Sequence, residues 1–193
     1  MNALTVVAAY LIGSIPFAFL LARRRGVDLR LEGSGNVGAS NVLRTSGMTL
    51  AVLAMTLDGL KGALAVLLAQ GVAPGSIAPV AAGLASVIGH LYPPWLRFHG
   101  GKGVATAAGA FSLLAPVAFT VACAVFVFTV LVTRIISVGS LSAAVTLAIA
   151  TAVTDSPRLV IAGACVAAGL IVFRHRGNLS RLMTGTERRV GGA

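Results

Sequence analysis

Two short glycine-rich stretches hold the residues of this chain best suited to chemistry. Leu96 to Thr106 reads Leu-Arg-Phe-His-Gly-Gly-Lys-Gly-Val-Ala-Thr, with three glycines around Lys102, and it interrupts a long apolar sequence. Gly33-Ser34-Gly35-Asn36-Val37-Gly38-Ala39-Ser40 is the second, with Arg44 close behind. Glycine lets a backbone turn tightly and aim its N–H groups at one spot. The first N–H groups of a following helix have no internal partner and carry the positive end of its dipole. Lys102 adds a full charge. Both loops therefore suit an anion such as phosphate.

The residues around them agree. Ser34, Asn36, Asn41, Arg44, Lys102, Ser137, Ser140, His175 and Asn178 are donors or switchable groups, whereas the chain has only five acids: Asp28, Glu32, Asp58, Asp155 and Glu187. No cluster of these could hold Mg²⁺ or Zn²⁺. A donor-rich, carboxylate-poor set suits anionic substrates handled without metal. Two nucleotide motifs are excluded. Gly33 to Gly38 matches G-x-G-x-x-G, but that fingerprint needs a preceding strand in a βαβ unit, and an Arg run precedes this loop. A P-loop ending at Lys102 would need glycine at position 96, where Leu96 stands.

The elements that must position these loops are membrane helices. The chain is 57% apolar with mean hydropathy +0.95 and only 10% charged residues, far from a soluble average. Its net charge of +10 is no nucleic-acid signature, because the basic residues sit in short loops between apolar runs. A bilayer span takes about 20 apolar residues. Runs at 1–22, 48–70, 77–96, 104–133, 135–154 and 159–173 qualify or come close. Arg23-Arg24-Arg25 follow the first run rather than precede it, opposite to a signal peptide, so the run is expected to be retained. The run 104–133 is too long for one ordinary helix, and Pro116 near its middle predicts a break into 104–115 and 116–133.

Lys and Arg collect on the cytoplasmic side of a membrane. If 104–133 crosses twice and the N-terminus is outside, thirteen basic residues lie inside and only Arg158 outside, with Lys61 in the membrane. A single crossing reduces the bias to eight against six. The expectation is an all-α polytopic membrane protein forming one domain over 1–193, with about seven helices, N-terminus outside and C-terminal tail 174–193 cytoplasmic. A re-entrant hairpin at 104–133 would keep the same parity. Either way both glycine loops, Arg134 and the tail share one face. Small residues at helical spacing, Ala82 with Ser86 and Gly59 with Ala63, would allow close helix approach.

Within the runs, Asp58 and Lys61 are three apart and can pair on one helix face. His90 reads as a hydrogen-bonded packing residue and His99 as a solvated loop residue. Cys123 and Cys165 read as buried small hydrophobes. The spacing His175-x-x-Asn178-x-x-Arg181 places three polar side chains along one face of an interfacial helix, and the tail arginines would attract anionic lipid.

At three separated places the chain resembles a family, the bacterial acyl-phosphate:glycerol-3-phosphate acyltransferases of the PlsY type. The first is Gly33 to Asn41 with Arg44. The second is Gly89-His90-Leu91-Tyr92-Pro93 through Gly100-Gly101-Lys102-Gly103-Val104-Ala105-Thr106. The third is Arg134-Ile135-Ile136-Ser137 with Ser140, then His175, Asn178, Arg181-Leu182, Gly185 and Glu187; Asp58 with Lys61-Gly62 also fits. The patterns run in order over nearly the whole chain. Three departures stand out: Ser40 where the family usually has Thr, Gly177 where it has Glu, and Ile135 in place of an aromatic residue. Gly177 removes any catalytic carboxylate there.

The resemblance implies transfer of an acyl group from acyl phosphate to the 1-hydroxyl of sn-glycerol 3-phosphate, at the cytoplasmic side of the bacterial inner membrane. It implies no cofactor, no metal, no nucleic acid and no obligate protein partner. Ser34, Arg44, Lys102, Ser140, His175 and Asn178 would hold the glycerol phosphate, with Ser34, Lys102 and His175 the catalytic residues. The loop around Lys102 would cradle the acyl phosphate, so Gly100, Gly101, Gly103 and Thr106 join the binding set, together with Asn36, Asn41 and Ser137. No base is obvious: His-x-x-x-x-Asp of the unrelated glycerolipid acyltransferases is absent, since Trp95 stands where the Asp after His90 would be. Substrate phosphate is one proton acceptor and His175 the other. The competing class, an organic-phosphate transporter, would need a midplane site open to both faces.

Overall fold

The computed structural model describes residues 3–75 and 77–191. Residues 1–2 of the first expected span and 192–193 of the tail lie outside the described residues. All regular structure among the described residues is helical. The chain divides into two compact units, Met1–Leu113 and Leu114–Ala193.

In the first unit the expected span 1–22 is two helices, α1 (Ala3–Ser14) and α2 (Phe17–Arg23). Pro16 causes the break, because it lacks an N–H and its ring collides with the preceding turn. At that break the carbonyl of Ile15 accepts the Phe17 N–H at 3.1 Å and the Lys61 ammonium at 2.8 Å. A short helix, α3 (Ala39–Ser46), follows the first glycine loop. Then α4 (Met48–Val72), 25 residues and about 37 Å long, buries a stripe through Ala51, Ala54, Asp58, Lys61, Gly62, Ala65 and Ala69.

α5 (Ala78–Leu91) is shorter than the expected 77–96. Tyr92-Pro93-Pro94 cannot continue the helix, and the chain turns through a 3₁₀ segment at Pro94–Leu96 with Arg97 and Phe98 in the left-handed region. α6 (Val104–Leu114) closes the unit. Helices meet backbone to backbone at small residues: Gly13 lies on the Ser86 carbonyl, Gly62 on that of Thr106 and Gly109 on that of Gly59.

In the second unit α7 (Pro116–Thr133), α8 (Ile136–Val153) and α9 (Arg158–Arg174) pack in succession, and α10 (Arg176–Met183) bends away from α9 by 58°. Proline opens α7 at the expected break, Ala115–Pro116. α7 buries only Ala118 and Ala122, while Phe128 and Leu131 are 69% and 74% exposed. Large apolar groups outward and small ones inward is the arrangement of a helix facing lipid. The same principle corrects the cysteines: Cys123 is half-buried and Cys165 exposed, because an apolar run in a bilayer does not imply burial in protein.

Four segments are long and apolar enough to cross a membrane: Ala3–Arg23 taken across its kink, Met48–Val72, Pro116–Thr133 and Ile136–Val153, with α9 and α10 a fifth if the bent pair is one span. At 11 residues α6 is about 16 Å long, half a hydrocarbon core. Helix length among the described residues thus supports four or five spans.

Candidate active site

The first glycine loop is built around one buried amide. Asn41 is 0% exposed; its Oδ1 accepts the Ser34 N–H at 2.7 Å, and its Nδ2 donates to Leu29 O at 3.1 Å and Glu32 O at 3.0 Å. Gly33 and Gly35 take the left-handed backbone that this turn requires, at φ +63° and +72°. Asn41 therefore organises the loop from within. Ser34 is presented at the surface, Asn36 is half-buried, and Arg44 is exposed with its guanidinium also on the Ser40 carbonyl at 3.2 Å.

The approach to this loop is tied by Asp28, which accepts Arg30 at 2.6 Å and Arg23 at 3.1 Å. The hydrogen bond from Arg30 chiefly holds its carboxyl at about 2. The sequence placed Asp28 in no role; what it does is fix the arginine-rich turn.

The second loop departs from the expectation that its glycines aim N–H groups at a ligand. Gly100 N donates to Leu91 O at 3.0 Å and Gly101 N to His90 O at 3.1 Å, so both groups close the loop onto the end of α5. A side chain at Gly100 would overlap the His90 carbonyl, and one at Gly101 would overlap the His90 ring. Close approach is what needs glycine here. Past Gly103 (φ +82°) the chain enters α6, whose first intrahelical donor is Ala107 N, bonded to Gly103 O at 2.8 Å. The N–H groups of Val104 to Thr106 thus form its open first turn. Lys102 is half-buried beside it, and Thr106 Oγ1 is buried with no hydrogen-bond partner among the described residues. The backbone N–H groups that this loop does not spend on closing itself are those of the helix start, beside Lys102, rather than those of Gly100 and Gly101.

Beneath both loops, in the same unit, lies a cavity of about 10 Å³, the room one water needs. Asp58, Lys61, His90, Val37 and Gly101 line it. Asp58 and Lys61 pair at 2.8 Å, as their spacing predicts, and both are nearly fully buried. His90 Nδ1 joins them at 3.5 Å from Asp58 Oδ1. His99 is exposed, as expected of a loop residue.

In the second unit the polar side chains converge on an acid that is not among the expected site residues. Glu187 accepts Ser137 Oγ at 2.8 Å and Asn178 Nδ2 at 2.6 Å on one oxygen, and Arg181 Nε at 2.7 Å on the other. Burial pushes its carboxyl up, but these three donors outweigh it and hold the group below its ordinary 4.5. Val190 N donates to Arg134 O at 2.7 Å and secures the same return of the tail. Glu187 is the one acid in a tail of arginines, and that isolation was the available sign. Ser137 and Asn178 each give a donor to this carboxylate.

Ser140, one turn beyond Ser137, is 4% exposed and makes no side-chain hydrogen bond among the described residues. His175 stands at the junction of α9 and α10, 2% exposed, with Nδ1 2.8 Å from Ile171 O. A carbonyl only accepts, so Nδ1 carries the proton. Nε2 of the neutral ring is then an acceptor, and of the charged ring a donor. Among the described residues no three His, Cys, Asp or Glu side chains are grouped to hold a metal ion.

The chain matches the family described as glycerol-3-phosphate acyltransferase over residues 3–185. It is 46% identical over 192 residues to a glycerol-3-phosphate acyltransferase of Myxococcus xanthus, covering 98% of this chain and 100% of that one. It is 44% identical to that of Geotalea daltonii, covering 94% of each. Among solved structures it is similar to PlsY (YgiH), an integral membrane glycerol 3-phosphate acyltransferase, in its glycerol 3-phosphate form. The TM-score is 0.94 at 42% identity, over 97% of this chain and 94% of that chain. The lysophosphatidic acid form of the same protein gives 0.91 at 41%, with the same coverage.

Proposed function

The chain belongs to the glycerol-3-phosphate acyltransferase family, and from that premise we propose that it moves a fatty acyl group from an acyl phosphate to the 1-hydroxyl of sn-glycerol 3-phosphate. The products are lysophosphatidic acid and inorganic phosphate. The observation that carries this reading is the end-to-end likeness to an integral membrane enzyme solved in glycerol 3-phosphate and lysophosphatidic acid forms. Two cationic loops in the first unit supply what phosphate-bearing substrates need, and the apolar helix surfaces supply what an acyl chain needs.

In this reading Lys102 and the open first turn of α6 attract a phosphate in the first unit, where Ser34, Arg44, Asn36 and Thr106 also serve and Asn41, Gly100, Gly101 and Gly103 hold the shape. In the second unit the family resemblance assigns substrate contacts to Ser140, His175 and Asn178, with Ser137 holding the tail. The leaving group is phosphate, already activated, so no metal is required. Attack by the hydroxyl oxygen on the acyl carbonyl breaks the acyl–phosphate C–O bond. A substrate phosphate, with a second pKa near 6, accepts the hydroxyl proton. His175 Nε2 is the other acceptor. The charge pattern supports seven membrane segments, amino terminus outside, with loops and tail on the cytoplasmic side of the inner membrane.

The test is phosphate release by purified protein in detergent, given palmitoyl phosphate with and without glycerol 3-phosphate, and palmitoyl-CoA in parallel. Release requiring both substrates, with lysophosphatidic acid formed and CoA inactive, is the expected result. Activity with CoA alone would overturn the donor, and no product with either would overturn the reaction.

A further inference from the structure

His90 is a residue for which the proposed reaction has no use, yet it sits at the centre of the first unit. On one side its Nδ1 faces Asp58 Oδ1 at 3.5 Å, and Asp58 is paired with Lys61 at 2.8 Å. Lys61 is itself anchored to the Ile15 carbonyl at the α1–α2 break, and its ammonium stands 5.8 Å from the centre of the Phe17 ring. On the other side the His90 ring edge, Nε2 with Cε1 and Cδ2, fills the space a side chain at Gly101 would occupy. The backbone joins them again, since His90 O accepts Gly101 N at 3.1 Å. His90 therefore touches the segment that carries Lys102 by ring and by carbonyl at once.

We infer that His90 is a positioning residue: the buried Asp58–Lys61 pair fixes its ring, and the ring edge determines where Gly101 and Lys102 stand. Buried charges in a membrane are costly and persist where they are paired. Here the pair does more than lock helices, because its third partner is the wall against which the glycine loop is seated. The loop could tighten no further without striking the ring. If the ring were lost, the loop could sink toward the cavity beneath it. A shift of about 1 Å at a substrate-binding group is enough to cost about a hundredfold in rate. This inference deepens the proposed function and rests on it for its kinetic arm.

The decisive variant is His90→Asn, which keeps an N–H near the position of Nδ1, opposite Asp58, and removes the ring edge from Gly101. The expected result is a thermal midpoint close to the parent and a KM for a phosphate-bearing substrate raised about tenfold or more. Amide hydrogen exchange at Gly100 and Gly101 should be faster. Gly101→Ala in the parent should lose most turnover because its methyl meets the ring, and H90N should rescue it, so that the double variant is no worse than H90N alone. Parental kinetics and exchange in folded H90N, or losses that simply multiply in the double variant, would overturn the inference. If H90N folds poorly, G101A alone decides: unchanged kinetics and exchange in the folded protein would overturn it. If the parent makes no product from acyl phosphate, the proposed reaction has failed, and the exchange measurements still decide the role of His90.

Discussion

Asn178 and Glu187 are nine residues apart and meet at 2.6 Å, the amide nitrogen donating to the carboxylate that also accepts Ser137 from fifty residues away. The tail is thereby closed onto α8. Glu187→Ala would leave the Ser137, Asn178 and Arg181 donors without this acceptor. The expected loss of stability is about 2–4 kcal/mol, read from thermal unfolding in detergent. Glu187→Gln, which keeps one acceptor, should lose less.

The same carboxylate sets a pH dependence. Its pKa is depressed in the folded chain, so its contribution is complete above the unfolded value of about 4.5 and is lost as pH falls through the folded value. The thermal midpoint should be level from neutrality to roughly pH 5 and fall below that. In Glu187→Gln this part of the fall should disappear. Asp28, held at about 2 by Arg30, loses its contribution only in stronger acid. A fall below pH 5 of the same size in Glu187→Gln would contradict the assignment to Glu187.

Helix contacts at glycine should be intolerant of a methyl where the neighbour is backbone. Gly62→Ala and Gly109→Ala drive Cβ into the carbonyls of Thr106 and Gly59, and about 1–3 kcal/mol of destabilisation is expected. Gly71→Ala and Gly169→Ala meet nothing within 4 Å and should be neutral or stabilising by up to about 1 kcal/mol. Yield and thermal midpoint of the four proteins provide the comparison.

The Asp58–Lys61 pair should behave as a unit. Lys61→Met leaves the Asp58 carboxylate buried without its cation, at a cost of about 3–5 kcal/mol. Asp58→Leu combined with Lys61→Met removes both charges and should recover folded protein relative to either single variant. A double variant as poor as the two losses added would reject the pairing as the cause.

His175→Gln distinguishes the two proton acceptors. Glutamine keeps a donor but has no basic nitrogen, so substantial turnover should remain if substrate phosphate takes the proton. A loss beyond about 10⁴-fold with substrate affinity unchanged would make His175 the base.

Patterns confined to one stretch of chain were legible in the sequence. Apolar runs gave the positions of α4, α7, α8 and α9 within two residues at each end, because hydropathy is a sum over neighbours. Pro116 located the break between α6 and α7, and three-residue spacing located the Asp58–Lys61 pair. Whole-chain resemblance identified the family.

Hydrogen-bond partners were not legible, because they depend on what the fold brings from elsewhere. The three glycines around Lys102 were expected to face a ligand, and two of them, Gly100 and Gly101, face α5 instead. Asn41 was expected at the substrate and supports its own loop. Pro16 is visible in the sequence, but that the Ile15 carbonyl at its break receives Lys61 from forty-six residues away is not. The sequence by itself determined a membrane protein with two cationic loops and the chemistry they suit. Only the tertiary structure decided which donors those loops use on themselves, since a donor bonds whichever acceptor the packed chain sets within about 3 Å of it.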